Sequence, residues 1–521
     1  MQWKVLVLAA MTIFATPAIA DIAQTGQGAV QGVTSGGITV YKGIPFAASP
    51  TGALRWRPPQ PVAAWRGVRK AAAFAPACMQ TGVSMPGEAP PATSEDCLYL
   101  NIWKPAGSAR QKLAVLVKIY GGGFSSGSAA MPLYWGDRLA AKGILVVTFG
   151  YRVGPFGFLA HPELTQEAPD HASGNYGLLD QIAALQWVQH NIAAFGGDPA
   201  RVTIVGQSAG SNAVSILMAS PLAKGLFHRA IGESGGLFEP LRLAPQYQLA
   251  NAEKEGVAYA ASLGAHSLAE LRALPADALL RGKAATIAHP VIGPGLLPLS
   301  PYDAFAAGAQ NDVPILIGSN ANEAGAMIAN IDSVKAASFD SDIEKQFGRL
   351  PPQLPAAYPH ATDQEARAAR LGFERDLRFG WDAWAWARLG VLKGRSAVYY
   401  YHFTKVPPFP PGSLYQNWGA SHFAELWYVF DHLDQENWNW TAADRNLAAT
   451  MSGYWVNFTK TGNPNGPGLP SWPAFQATDG NVQYLGDMVS TGGVANLGAL
   501  EIFDKVYDGV RGAPFGKPSG P

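Results

Sequence analysis

The sequence predicts an α/β protein in which a mostly parallel central sheet is flanked by helices, preceded by an antiparallel ribbon and interrupted by a helical insertion. Three observations carry this. The runs Ala114 to Tyr120 and Ile144 to Phe149 are short and nearly continuously apolar, as strands buried on both faces must be. Segments of helical length, Pro132 to Lys142 and Leu178 to Phe195, alternate with the strands, the order that builds parallel sheets. Finally, Gly206-Gln207-Ser208-Ala209-Gly210 follows the β-branched run Arg201 to Val205 and opens into Ser211 to Ser220, giving strand, sharp turn and helix.

Taken in order, Val30 to Pro45 alternates like an antiparallel ribbon, and the Pro-rich Ala48 to Pro61 reads as a surface-hugging loop. The helix over Leu178 to Phe195 stops at Gly196-Gly197-Asp198-Pro199. Val313 to Gly318 and Ala397 to Phe403 read as later strands of the same sheet. Ser338 to Arg395, between them, is Ala-rich and helical, a cap whose aromatic run Trp381 to Trp386 reads as cap core. There is no internal repeat and no low-complexity tract.

Of 521 residues, 48% are hydrophobic and 15% charged, enough apolar material for one large core, so residues 21–521 read as a single domain. Lys plus Arg number 38, as do Asp plus Glu, so no net field draws nucleic acid or an anionic membrane. Lys4, the apolar stretch Val5 to Phe14 and Ala18-Ile19-Ala20 read as a signal peptide over residues 1–20, cleaved near Ala20. No later apolar run approaches spanning length, so the mature protein is expected in the periplasm or medium without stable membrane insertion. In that compartment the two cysteines, Cys78 and Cys97, read as a structural disulfide contributing roughly 3 kcal/mol by chain entropy.

Gly-x-Ser-x-Gly occurs three times. The match at Ser125 runs on into small residues and the match at Ser234 runs into Leu237 to Pro240 with no helix start, which leaves Ser208 as the candidate nucleophile. Such a serine needs an oxyanion hole, a base and an acid that orients the base. Gly121-Gly122-Gly123, directly after a buried strand, lets backbone N–H groups approach a carbonyl. Glu323 leaves the carboxyl end of a strand, where open α/β sheets build their sites. For the base, His360, His402, His422 and His432 all follow in chain order; His402 lies inside a strand pattern, His360 in the cap, and His422 at a loop end.

These segments resemble the type-B carboxylesterase family, the α/β-hydrolases that include bacterial carboxylesterases and cholinesterases. The likeness runs through Tyr41 to Ala47, Ser94 to Asn101, the glycine run, Tyr151 to Gly154, Gly174 to Gln181, the Ser208 elbow, the Glu323 and His422 segments and Trp472-Pro473. It implies an α/β-hydrolase fold, Ser208 as nucleophile, Glu323 as acid and His422 as base. It further implies the N–H groups of Gly122, Gly123 and Ala209 as oxyanion hole, Ser234 near the acid, the Cys78 to Cys97 bridge, and an ion pair of Glu95 with Arg152. The reaction so implied is carboxylic ester hydrolysis with water and no metal or organic cofactor. Amide, thioester or polyester cleavage uses the same chemistry, and a binding protein on this scaffold would have lost the nucleophile.

This chain departs from the family in ways that bear on substrate. Gln207 replaces the acid cholinesterases carry before the nucleophile, and the disulfide loop Met79 to Asp96 holds neither an aromatic platform nor an apolar lid. His422-Phe423 stands where relatives often show His-Gly. Phe124, Leu237, Phe238 and Trp418 are the candidate pocket walls, with plain core packing as the alternative for each. Intact mass of protein recovered from the export compartment should begin near Asp21 and fall about two hydrogens below the reduced chain. Free thiols at both cysteines would contradict that reading.

Overall fold

The computed structural model describes residues 21–520 apart from 84, 86–88, 283–286, 329 and 478–479. The expected signal peptide lies outside the described residues.

Eleven strands form the central sheet: β1 (Val33–Ser35), β2 (Ile38–Pro45), β3 (Tyr99–Pro105), β4 (Leu113–Ile119), β5 (Leu145–Phe149), β6 (Gly197–Gln207), β7 (Arg229–Glu233), β8 (Ile315–Asn320), β9 (Val398–Phe403), β10 (Val482–Leu485) and β11 (Val489–Gly492). Their spatial order is β11-β10-β9-β8-β7-β6-β4-β5-β3-β2-β1. From β5 through β10 every pairing is parallel, and the pairings at both margins are antiparallel. This is the expected α/β architecture. The N-terminal ribbon is split: β1 and β2 make a hairpin on the sheet edge, whereas Ala29–Gln31 joins Ile22–Gln24 and Val68–Lys70 in a separate small sheet.

Helices α1 (Asp137–Ala141), α2 (Tyr176–Asn191), α3 (Ala209–Ala219), α4 (Asp363–Arg375), α5 (Trp381–Lys393) and α6 (Ala442–Thr461) include the main flanking elements. The helix expected from Pro132 to Lys142 is broken into a 3-10 turn, Pro132–Tyr134, and the short α1. The break falls at Gly136, where a Cβ would stand 2.4 Å from Cβ of Val146, so the chain lies flat on β5 before it coils. Beyond α2 a 3-10 turn, Ile192–Phe195, continues the coil, and Gly196 after it takes the left-handed conformation that stops it, as the Gly196-Gly197 signal predicts.

Between β8 and β9 the expected cap is helical, but its last helix, α5, packs on the sheet. Trp386 is fully buried with its ring 5.6 Å from Phe238 and 6.4 Å from Phe305, and a Cβ on Gly232 of β7 would meet it at 2.5 Å. The aromatic run therefore belongs to the main core. Among the described residues no helix is long and apolar enough to cross a membrane.

The disulfide between Cys78 and Cys97 is formed and closes the Met79 to Asp96 loop. The ion pair expected between Glu95 and Arg152 is absent. Glu95 accepts two 2.7 Å hydrogen bonds from Arg55, which rises from the Pro-rich loop and also donates to the carbonyls of Arg272 and Leu274. Arg152 instead grips Asp180 on α2 through Nε and Nη2 at 2.8 and 2.7 Å. Two bidentate pairs, each with its own partner, replace one.

Trp386→Ala should destabilise the protein by about 3–5 kcal/mol in denaturant titration while leaving kcat/KM of the folded protein within about threefold. A selective rise in KM with unchanged stability would make this residue a recognition surface.

Candidate active site

The carboxyl ends of β4, β6, β8 and β9 deliver the candidate residues to one region of the sheet. At the end of β6 the chain turns in one residue: Ser208 has φ 59° and ψ −128°, a conformation that non-glycine residues rarely adopt, and α3 starts at Ala209. The turn is possible because its flanks lack side chains. A Cβ on Gly206 would stand 2.0 Å from the carbonyl oxygen of Gly210, and one on Gly210 would stand 2.3 Å from that of Ile119. The backbone N–H of Ser208 donates to the carbonyl of Glu233 at 2.8 Å, tying the elbow to β7. Glu233 itself is buried, paired with Lys118 at 3.1 Å and receiving the Trp455 indole N–H at 2.7 Å.

The glycine run after β4 lies against this elbow, since a Cβ on Gly121 would come within 3.0 Å of Ser208 Cβ. Gly122 and Gly123 have φ of 105° and 61°. Among the described residues the N–H groups of Gly122, Gly123 and Ala209 donate to no protein acceptor. Three uncommitted donors beside one hydroxyl are what a developing oxyanion requires.

Glu323 opens a 3-10 turn just beyond β8, and His422 sits on the loop beyond β9. The imidazole Nδ1–H donates to Glu323 Oε2 at 2.7 Å, the proton assigned to nitrogen because a carboxylate only accepts. Glu323 Oε1 accepts from the N–H of Asn320 at 2.7 Å. The two loops are stitched together by further bonds. Asn322 N–H donates to Ala420 O at 2.9 Å, Ala420 N–H to Asn322 Oδ1 at 3.0 Å, and Asn320 Nδ2 to Ser421 O at 2.7 Å. Asn320 also contacts Glu425, whose carboxyl is fully buried; burial, then the charges of Glu233 and Glu323, push its pKa well up.

Two contacts to the imidazole have no counterpart in the sequence reading. Phe379, in the π-turn Asp376–Gly380 that joins α4 to α5, stacks on it with centroids 4.5 Å apart. Gln207 Nε2 lies 3.2 Å from His422 Nε2. A conspicuous change of residue marks Gln207 in the sequence, whereas nothing local marks Phe379.

The rival histidines are engaged elsewhere. His360 stacks on Phe339 at 4.3 Å, and His432 is held between Leu133 O and Asp137. His402 lies within β9, where burial and then Arg375 push its pKa down to about 4. Of the other motif serines, Ser125 is exposed and donates to Gly122 O. Ser234 is buried with φ 53°, its N–H donating to Gly318 O on β8 and its hydroxyl meeting no protein partner among the described residues.

Three of the candidate pocket walls are buried. Phe238 packs between Phe305 and Trp386, Phe124 lies 5.0 Å from Phe158, and Leu237 is buried. Trp418 alone is half-buried, 6.0 Å from Phe423, the residue after His422. Phe423 has φ 63°, so the residue standing where relatives often have glycine is held in the left-handed region. Its ring packs on Trp418 and Trp427, contacts a glycine could not make. Among the described residues no group of three or more His, Cys, Asp or Glu side chains is arranged to hold a metal ion.

Residues 20–492 match the model of the carboxylesterase family. The chain is 38% identical over 486 residues to fumonisin B1 esterase of Sphingopyxis macrogoltabida, covering 90% of this chain and 87% of that protein. It is 36% identical over 477 residues to para-nitrobenzyl esterase of Bacillus subtilis (strain 168), covering 87% and 92%. A solved structure of PNB esterase superposes with a TM-score of 0.80 at 34% identity, covering 93% of this chain and 99% of that one.

His402 supplies a test by pH. Its folded value lies below the ordinary 6.5, so between pH 6.5 and about 4 the unfolded chain binds a proton that the native protein does not. Stability therefore falls as pH drops through that window, by roughly 3 kcal/mol in full. His402→Phe should flatten this slope in denaturation measured across the window and retain esterase activity. Loss of activity with the fold intact would move the base from His422 to His402.

Proposed function

The chain belongs to the carboxylesterase family and hydrolyses carboxylic esters; from that premise we propose that it does so through Ser208, His422 and Glu323 and an acyl-enzyme intermediate. The observation that carries the reading is the 2.7 Å bond from His422 Nδ1–H to a fully buried Glu323, with the other ring nitrogen 3.2 Å from Gln207, the residue before a serine held at φ 59°. His422 Nε2 takes the Ser208 proton as Oγ attacks the ester carbonyl. Glu323 holds the ring and stabilises its cation, while the N–H groups of Gly122, Gly123 and Ala209 receive the oxyanion. His422 returns the proton to the departing alcohol. Water then attacks the acyl-enzyme with His422 as base, and the acid leaves.

Neutral short-chain or aryl esters fit this site better than choline esters. At the position before the nucleophile the buried Gln207 brings no charge to attract an ammonium. In the disulfide loop Met79 and Met85 are buried rather than displayed, so the loop offers no apolar lid and rates should not jump on emulsified substrate. Export to the periplasm or medium, after removal of residues 1–20, belongs to the same proposal, and the Cys78–Cys97 bridge is compatible with it.

Ser208→Ala should abolish hydrolysis of p-nitrophenyl esters in a folded protein, and His422→Ala or Glu323→Gln should lower kcat by about three or more powers of ten. Parent-like rates in Ser208→Ala would refute the assignment. A graded p-nitrophenyl ester series run beside an anilide and a choline ester sets the leaving-group range.

A further inference from the structure

We propose that Gln207 is a positioning residue of the hydrolytic site: its side-chain amide donates to Nε2 of His422 and holds that nitrogen free of a proton in the resting enzyme. This rests on the reading of Ser208, His422 and Glu323 given above.

The argument starts from what each nitrogen of the ring faces. Glu323 can only accept, so Nδ1 carries hydrogen, and the neutral ring then presents a lone pair at Nε2. The group at 3.2 Å from that lone pair is Gln207 Nε2, a donor. A proton on both ring nitrogens would set an N–H against an N–H. Gln207 is the buried last residue of β6, and a Cβ on Gly121 would stand only 3.2 Å from its Oε1, so the amide has a defined seat. Ser208 Oγ, by contrast, makes no hydrogen bond among the described residues. The resting partner of the base is thus the amide next door, and the nucleophile hydroxyl must replace it at Nε2 when an ester arrives.

The other groups near the ring leave this contact as the determinant at Nε2. Phe379 and Phe423 are uncharged and pack on the ring. Glu323 acts at the opposite nitrogen, and Arg375 from α4 acts on Glu323. Glu425 in the base loop is buried, which together with Glu233 and Glu323 pushes its pKa well up, and Glu233 is compensated by Lys118. A donor at Nε2 favours the neutral base, an apolar neighbour is indifferent, and a carboxylate, which only accepts, draws a proton there. Glutamine and glutamate have the same shape, so exchanging them changes the hydrogen-bond character and charge with little change in packing.

The test is the pH dependence of kcat/KM for p-nitrophenyl acetate in the full-length enzyme, Gln207→Met and Gln207→Glu, with Ser208→Ala and His422→Ala alongside. The acid limb should move to higher pH in the order parent, Gln207→Met, Gln207→Glu, the last by about one unit or more, roughly tenfold in rate below the limb. Coincident limbs, or a Gln207→Met limb below the parent's, would overturn the proposal, the latter because it turns the amide the other way round. Should Gln207→Met fail to fold, the comparison of parent with the isosteric Gln207→Glu decides alone. Activity surviving in His422→Ala would instead sink the underlying reading.

Discussion

The close crossing of β6 and α3 at the elbow is the constraint on which the rest of the site depends. Gly206 faces the Gly210 carbonyl and Gly210 faces the Ile119 carbonyl, each at a separation that excludes a Cβ. Ser208 is left with the positive φ, a strain of about 1–3 kcal/mol that persists only because the surroundings over-determine it. Those surroundings are the parallel register of β6 with β4 and β7, the Ser208 N–H bond to Glu233 O, and the buried Lys118–Glu233 pair behind it. Such a pair adds little net stability, but it fixes where β7 ends and so where the serine stands.

Glu323 and His422 come from two loops that would otherwise be independent. Backbone and asparagine bonds between residues 320–323 and 420–422 make them one unit, so the carboxylate and imidazole arrive already oriented. Glu425 closes this unit through its contact with Asn320, and burial beside Glu233 and Glu323 pushes its pKa well up, which disfavours a second charge next to Glu323. Phe379 and Phe423 then pack on the ring, leaving Nε2 to Gln207 and the nucleophile.

What the sequence made legible was local. Continuous apolar runs marked β4 and β5, and small residues on both sides of Ser208 marked a strand-turn-helix. The site also had a readable direction, because chain order and strand ends selected Glu323. Pairings set by distant segments were not legible. The family likeness implied Glu95 with Arg152, and only the path of the Pro-rich loop decides that Arg55 takes Glu95. The same holds for Phe238, whose apolar character suits a pocket wall as well as a core, and for Trp386, whose place in the main core shows only when α5 lies down on β7. Choosing His422 from its rivals needed the family likeness, since a lone loop histidine carries no local signal. Phe379 reaches the imidazole through a π-turn that no periodicity announces.

The central claim is that one hydroxyl, set at the elbow, forms the acyl bond. Trapping that intermediate tests it most directly: the protein is mixed with a slowly deacylating p-nitrophenyl ester, quenched in acid, weighed intact and mapped by peptide. The account predicts a single acyl group per chain, carried on the peptide containing Ser208. A stoichiometric adduct on the Ser125 or Ser234 peptide, or p-nitrophenol release in a fully active enzyme with no acylated serine under conditions where deacylation is rate-limiting, would contradict it.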